Sequence, residues 1–285
     1  MEVTFPGLGL EFNINREAFS IGSLSVYWYG IIIASGLVLA CIYAFVRAEY
    51  FKIDKNKLLN TVIVGIICAI IGARLYYVLF SWDDYKNNLM NIFYINKGGL
   101  AIYGGLIGAI LGGGITCKLQ KQELLPVLDI ASIGFLIGQG IGRWGNFFNQ
   151  EAFGSQTDLP WRMVSENTGN VGVHPCFLYE SIWCLLGVLV LHILSKKWYH
   201  FKGQIFLCYM VWYGFERMIV EGLRTDSLYM TFSIFGYTPR VRPGLMPFLT
   251  SSSVSILTCS FTWAETFLPS IIIAIFHIPL FSKYY

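Results

Sequence analysis

Charge is what this sequence has least of. Asp, Glu, Lys and Arg make up 13% of its 285 residues, where a soluble domain carries roughly 25%. That is too little polar surface to clothe a water-exposed fold, so much of the surface is read as facing lipid. The net charge is only +3. With no basic run and no nucleic-acid motif, nucleic acid is excluded as a partner. Paired cysteines are missing too. Cys41, Cys68, Cys117, Cys176, Cys184, Cys208 and Cys259 form no CxxC, and most lie inside apolar segments. This argues against zinc or disulfide use and reads as small apolar packing residues. Residues 1–22 contain acids and a proline but no basic region leading into an apolar core. They do not read as a secretory signal, so the first apolar run is expected to stay in the mature protein.

What is present is apolar: 55% hydrophobic and 16% aromatic, with mean hydropathy +0.57. The aromatic share fits belts of Trp and Tyr at a membrane interface. A span takes about 20 apolar residues. Six runs qualify, near 24–46, 58–80, 99–117, 126–143, 177–195 and 203–222, and a seventh near 255–281 is broken by Pro269 and Pro279. The expected fold is an all-α integral membrane protein of about seven transmembrane helices. Residues 1–23 read as an N-terminal extracytoplasmic segment, 24–236 as the transmembrane catalytic core with outer loops 81–98 and 144–176, and 237–285 as a divergent tail holding the last span.

Orientation follows the Lys/Arg bias of the loops. One side holds Arg47, Lys52, Lys55, Lys57, Lys118, Lys121, Lys196, Lys197, Lys202 and Lys283. The other holds Arg16, Lys86, Lys97, Arg162, Arg224, Arg240 and Arg242. The excess predicts an outside N-terminus and an inside C-terminus. Two glycine rows, Gly104/Gly108/Gly112 and Gly134/Gly138/Gly142, have the four-residue spacing that lets helices approach closely in lipid.

Polar residues inside apolar helices are costly, about 2.5 kcal/mol or more for a charge, so those present carry information. In "GRWGNFFNQEAFG" (142–154), Arg143 and Asn146 share a helical face, and Asn149, Glu151 and Gly154 follow where the helix should break. An Arg fork suits phosphate; the alternative is a structural Arg143–Glu151 pair. In "WYGFERMIVEGLR" (212–224), Tyr213, Arg217, Glu221 and Arg224 fall on one helical face. Snorkelling to the interface accounts for Arg224 but less well for the deeper Arg217. A second cation facing the first would suit a doubly held phosphate. In "GGLAIYGGLIG" (98–108), Tyr103 sits among glycines, either as an interfacial belt residue or as a group that positions substrate or handles a proton. Tyr29, His174 and Glu180 raise the same question, and each alone reads as structural.

Together these segments resemble the prolipoprotein diacylglyceryl transferase family. "GRWGNFFNQEAFG" fits the signature of that family at every fixed position. "WYG" (28–30), "GARLYYVLF" (72–80), "GGLAIYGGLIGA" (98–109), "HPCFLYE" (174–180) and "YGFERMIVEGLR" (213–224) follow in the family's order over roughly residues 15–236. The resemblance implies a seven-span enzyme of the bacterial inner (cytoplasmic) membrane. It would move the diacylglyceryl group of phosphatidylglycerol to the lipobox cysteine thiol of a prolipoprotein signal peptide and release glycerol phosphate. By position, Arg143 and Arg217 would contact the lipid headgroup. Asn146, Glu151 and Gly154 would shape that site, and Tyr29 and Tyr213 would line it. The chain departs from the family at Tyr103, where the family often has His, and in its Ser/Thr/Pro-rich tail after residue 236.

The chemistry needs a thiolate nucleophile, supplied by the substrate, and donors that hold the charge of the leaving phosphate. Arg143 and Arg217 fit the second need. Tyr103, His174, Glu151 and the phosphate itself are the candidate proton acceptors. No metal cluster or cofactor motif is present in the sequence. Two other readings remain at this stage. A transporter or channel for an anionic solute would use arginines in the same way, but predicts paired repeats with broken helices, which the sequence lacks. A lipid-binding scaffold would bind phosphatidylglycerol without consuming it.

Overall fold

The computed structural model describes residues 1–22, 24–94, 99–224, 230–231 and 240–241. The contacts divide the chain into two compact units, Met1–Tyr43 with Ala131 onward, and Ala44–Ile130.

In the first unit the chain opens with β1 (Glu2–Phe5) and β2 (Leu10–Asn13), paired antiparallel with Val3 opposite Phe12. Val3 and Phe5 alternate inward along β1, as a half-buried strand requires. A second hairpin follows, β3 (Glu17–Ile21) on β4 (Leu24–Tyr27). It leads directly into α1 (Trp28–Arg47). Three further helices of the unit lie among the described residues: α5 (Leu124–Asn149), which enters it at Ala131, α6 (Cys176–Lys197) and α7 (Gln204–Leu223). Between α5 and α6, β5 (Val164–Ser165) adds to the free edge of β1. Under this small sheet lies an apolar core of Val3, Phe5, Ile14, Phe147, Met163, Val173 and Phe177. Phe147 belongs to the polar signature, so that stretch is anchored by its own aromatic. Its neighbour Phe148 stacks on Trp28 at 5.4 Å.

The row Gly134/Gly138/Gly142 is where α5 meets α1. A β-carbon on Gly36 of α1 would lie 3.4 Å from Gly138, one on Gly142 would lie 3.1 Å from Ile33, and one on Gly134 would lie 3.5 Å from Ala40. The backbones come close at Gly36 and Gly138, and the missing side chain of Gly142 leaves the room that Ile33 takes. Helices α6 and α7 are clasped by a reciprocal pair. Trp183 and Trp212 stack at 4.7 Å, and each indole N–H donates to the other's backbone carbonyl at 3.1 Å. Indoles taken partly out of water need partners for their polar ends, and here each supplies the other's.

In the second unit α2 (Lys55–Phe80) starts from Asp54, whose carboxylate accepts from the amides of Asn56 and Lys57 at 2.8 and 3.0 Å, an N-cap in the expected sense. After α3 (Trp82–Tyr85) and a 3-10 turn at Leu89–Phe93, the chain returns through α4 (Ile102–Leu119). The other glycine row is the seam here. Gly104 and Gly108 lie directly on the α2 backbone at Gly72 and Cys68. Arg74, inside the apolar run near 58–80, is almost fully buried and holds the loop. Its guanidinium donates to the carbonyls of Ile92 (2.8 Å), Gly99 (2.9 Å), Asn91 (2.8 Å) and Tyr94 (3.3 Å).

All six apolar runs expected within the described residues are helices. Four of them, Trp28–Arg47, Lys55–Phe80, Leu124–Asn149 and Cys176–Lys197, are long and apolar enough to cross a membrane. At 26 residues, α2 and α5 are about 39 Å long at ~1.5 Å per residue, against a hydrocarbon layer of about 30 Å. Helix α4 is apolar but shorter. Helix α7 carries Glu216, Arg217 and Glu221 in its second half. The run near 255–281 lies outside the described residues. The N-terminal hairpins were not foreseen, because strands of four or five residues give too short an alternation to stand out from a loop.

Candidate active site

Helix α5 carries the signature and ends inside it. Its exit is built from two non-glycine residues with positive φ, Gln150 (51°) and Ala152 (58°), on either side of Glu151. This left-handed geometry costs such residues free energy, and local bonds hold it. The Glu151 amide donates to the Asn146 carbonyl at 3.1 Å. The Glu151 carboxylate accepts from the side-chain amides of Asn146 (3.0 Å) and Asn149 (3.2 Å). From the N-terminal segment, Arg16 donates to the Asn149 carbonyl at 2.7 Å. Asn146 and Glu151 therefore form one polar turn.

That turn delivers Gly154 into a tight junction. Its amide donates to the His174 carbonyl at 2.9 Å, and the next amide, Ser155, donates to the Leu223 carbonyl at 2.7 Å. Gly154 also bridges Arg224 in a β-type pairing. A β-carbon at Gly154 would lie 2.7 Å from the His174 Cβ, 2.9 Å from the Cys176 Sγ and 3.1 Å from the Leu223 carbonyl oxygen. One residue thus ties the exit of α5 to the start of α6 and the end of α7.

At the same level the arginines meet. Glu180, on the second turn of α6, is fully buried. Its Oε2 pairs with Arg143 Nη2 of α5 and, at 3.4 Å, with Arg217 Nη1 of α7; its Oε1 lies 3.8 Å from Arg224 Nη1. The arginine side chains keep partial exposure, 19% for Arg143, 31% for Arg217 and 15% for Arg224. The register between α5 and α6 is locked beside this centre. Ser181 donates to the Gly140 carbonyl at 2.8 Å and accepts from the Trp144 indole at 3.1 Å.

The two arginines singled out from sequence therefore converge, and Arg224 joins them. Two readings are corrected. Arg143 pairs with Glu180 and not with Glu151, whose carboxylate is taken by two asparagine amides. Arg224 turns inward to a buried acid rather than snorkelling. Of the other expected residues, Tyr29 lays its ring on Gly145 of the signature, where a β-carbon would lie 2.7 Å from the Tyr29 Cδ2. Tyr213 stacks on Tyr209 at 5.9 Å. His174 shares a hydrogen bond of 3.2 Å with the Tyr179 hydroxyl, which also accepts from the Trp161 indole at 2.7 Å. Tyr103 belongs to the second unit, on α4, 59% exposed, its ring 6.5 Å from that of Tyr76. The side chain of Glu221 lies outside the described residues. Glu180, which on its own reads from sequence as structural, is where the arginines meet. Its signal was an acid in the second turn of an otherwise apolar helix, which demands a buried cation.

Chemically, guanidinium groups from α5 and α7 gathered at one point, partly exposed and next to a polar turn, can grip an anionic group. Apolar helices of membrane-crossing length, with arginines gathered on a buried acid, define an integral membrane protein with a cationic centre. The sequence model of the prolipoprotein diacylglyceryl transferase family matches residues 16–262, and the chain belongs to that family. It is 45% identical over 217 residues to the phosphatidylglycerol–prolipoprotein diacylglyceryl transferase of Finegoldia magna, covering 76% of this chain and 86% of that one. The enzyme of the same name from Clostridioides difficile is 42% identical over 215 residues, covering 75% and 85%. That from Listeria innocua is 44% identical over 224 residues, covering 75% and 80%.

Proposed function

We propose that this protein transfers the diacylglyceryl group of phosphatidylglycerol to the lipobox cysteine thiol of bacterial prolipoproteins, the first step of lipoprotein maturation. The observation that carries this reading is the convergence of Arg143 and Arg217, from α5 and α7, on one buried point. The sulfur of the substrate attacks the glycerol carbon that bears the phosphate. A carbon–sulfur bond forms, the carbon–oxygen bond breaks, and the electron pair leaves on glycerol phosphate. The developing phosphate charge falls to Arg143 and Arg217 in a poorly hydrated site, where fixed donors act most strongly. Asn146, Glu151 and Gly154 shape the wall beside them, and Tyr29 and Tyr213 line it. The thiol proton passes to one of Tyr103, His174, Glu151 or the departing phosphate. The acceptor cysteine belongs to the substrate, so no cysteine of this chain is required.

In this reading the chain has seven spans in the bacterial inner membrane. The Lys/Arg bias supports an N-terminus outside and a C-terminus inside, with residues 1–23 and the 81–98 and 144–176 loops extracytoplasmic, 24–236 the catalytic core and 237–285 supplying the last span. A transporter would not consume its lipid, and a scaffold would only bind it. The test is transfer itself: phosphatidylglycerol labelled in its acyl chains, a lipobox peptide and the purified protein, beside Arg143→Ala. Label on the peptide cysteine, reduced roughly 10²–10³-fold in the variant, is expected. No label from folded, lipid-binding wild type would refute the assignment.

A further inference from the structure

Glu180 lies outside the set of side chains that the transfer reading assigns to substrate, yet it is where the arginines meet. We propose that Glu180 is a positioning residue. Its carboxylate gathers Arg143, Arg217 and Arg224 into one phosphate-binding cluster before the lipid arrives. The proposal rests on the transfer reading and deepens it.

Three observations carry it. First, the arginines come from separate places, the last turns of α5, the body of α7 and the residue that ends α7. Arginine stems are long and rich in rotamers, and like charges repel. A counter-ion that all three reach offsets that repulsion and fixes where they sit, and the Glu180 carboxylate is one. Second, burial is divided in one direction. The Glu180 side chain is sealed, at 0% exposure, while each arginine side chain keeps exposed surface. A sealed acid cannot reach a substrate thiol or phosphate, so it acts through the arginines. Third, Glu180 is itself held rigidly. Ser181 bonds Gly140, Trp144 bonds Ser181, and Gly154 pins the start of α6. An anchor that does not move can fix what it holds, and preorganised donors are what stabilise developing charge.

The expected signature is kinetic. Misplaced arginines still attract the anionic headgroup but fit the departing phosphate poorly, so kcat falls more than KM. The experiment compares Glu180→Gln, Glu180→Asp and Arg224→Gln with wild type in the full-length protein, with folding checked by thermal unfolding in detergent. Glu180→Gln should lower kcat roughly 10²-fold while KM for phosphatidylglycerol stays within about threefold. Glu180→Asp, which keeps the charge on a shorter stem, should recover part of kcat. The proposal fails if Glu180→Gln keeps wild-type kcat, if the loss appears only in KM, or if both variants lose activity merely in step with their folded fraction. Should Glu180→Gln not fold, Arg224→Gln decides. Its guanidinium reaches the carboxylate only at 3.8 Å, so the acid keeps its other partners. A fall in kcat at constant KM supports the cluster, and an unchanged kcat overturns it. Wild type that transfers nothing refutes the parent reading instead, so the two failures are distinct.

Discussion

Tyr29 and Gly145 are matched surfaces: the tyrosine ring of α1 lies where any side chain on residue 145 of α5 would have to go, with 2.7 Å between the ring and a β-carbon built there. The signature glycine is thus a seat for an aromatic from another helix. Gly145→Ala should push the ring away and lower transfer from phosphatidylglycerol. The stability cost should be about 1–3 kcal/mol, the usual cost of overpacking. In Gly145→Ala/Tyr29→Ala most of that stability should return, because the clash has lost one partner. Thermal unfolding of the two single variants and the double closes the cycle; simple additivity would show that the two residues do not share this space.

Gly154 faces a harder wall. Its neighbours are the His174 Cβ, which is fixed to its own backbone, the Cys176 Sγ and the Leu223 carbonyl oxygen, so of the three only the sulfur can turn aside. Gly154→Ala should therefore pry the exit of α5 from α6 and α7. We expect activity to drop about tenfold or more, with ~1–3 kcal/mol lost from stability. A variant as active and as stable as wild type would mean that the junction has room for a methyl group.

Arg74 is a structural arginine, and its removal should read out far from any transfer assay. Four carbonyls in Asn91–Gly99 accept from it. Lysine keeps the charge but not the fork. Arg74→Lys should expose the segment between Tyr85 and Tyr94 to protease, with cleavage faster by roughly tenfold for each ~1.4 kcal/mol of local stability lost. Mass spectrometry of the fragments locates the cut. Cleavage elsewhere, or none, would show that the staple is not what orders this loop.

The helices were legible because each is an apolar run of spanning length, and little else than a helix can satisfy its own backbone in lipid. The glycine rows were legible for a related reason: their four-residue period is a packing signal independent of the partner, here α1 for one row and α2 for the other. Charge pairing was not legible. Glu151 stands eight residues from Arg143 and was the alternative partner for it, yet the turn at Gln150–Ala152 aims it at Asn146 and Asn149. The true partner, Glu180, lies across a loop and a small sheet. Nearness along the chain says little about nearness across helices, and a single acid in α6 does not announce which of several arginines it meets. The strands of the N-terminal segment escaped because their core is completed by Phe147, Met163, Val173 and Phe177, all distant in sequence.

The clasp between Trp183 and Trp212 bears on how the chain is made. Helices α6 and α7 are joined only by residues 198–203, and the clasp makes them a hairpin with its own closure. Arg217 and Glu180 sit on the two arms of that hairpin, 3.4 Å apart. A lone charge entering the bilayer on an isolated helix costs about 2.5–3.5 kcal/mol. A hairpin that leaves the translocon as one body carries its cation and anion together, and brings to the bilayer an acid and a base already neutralised by each other.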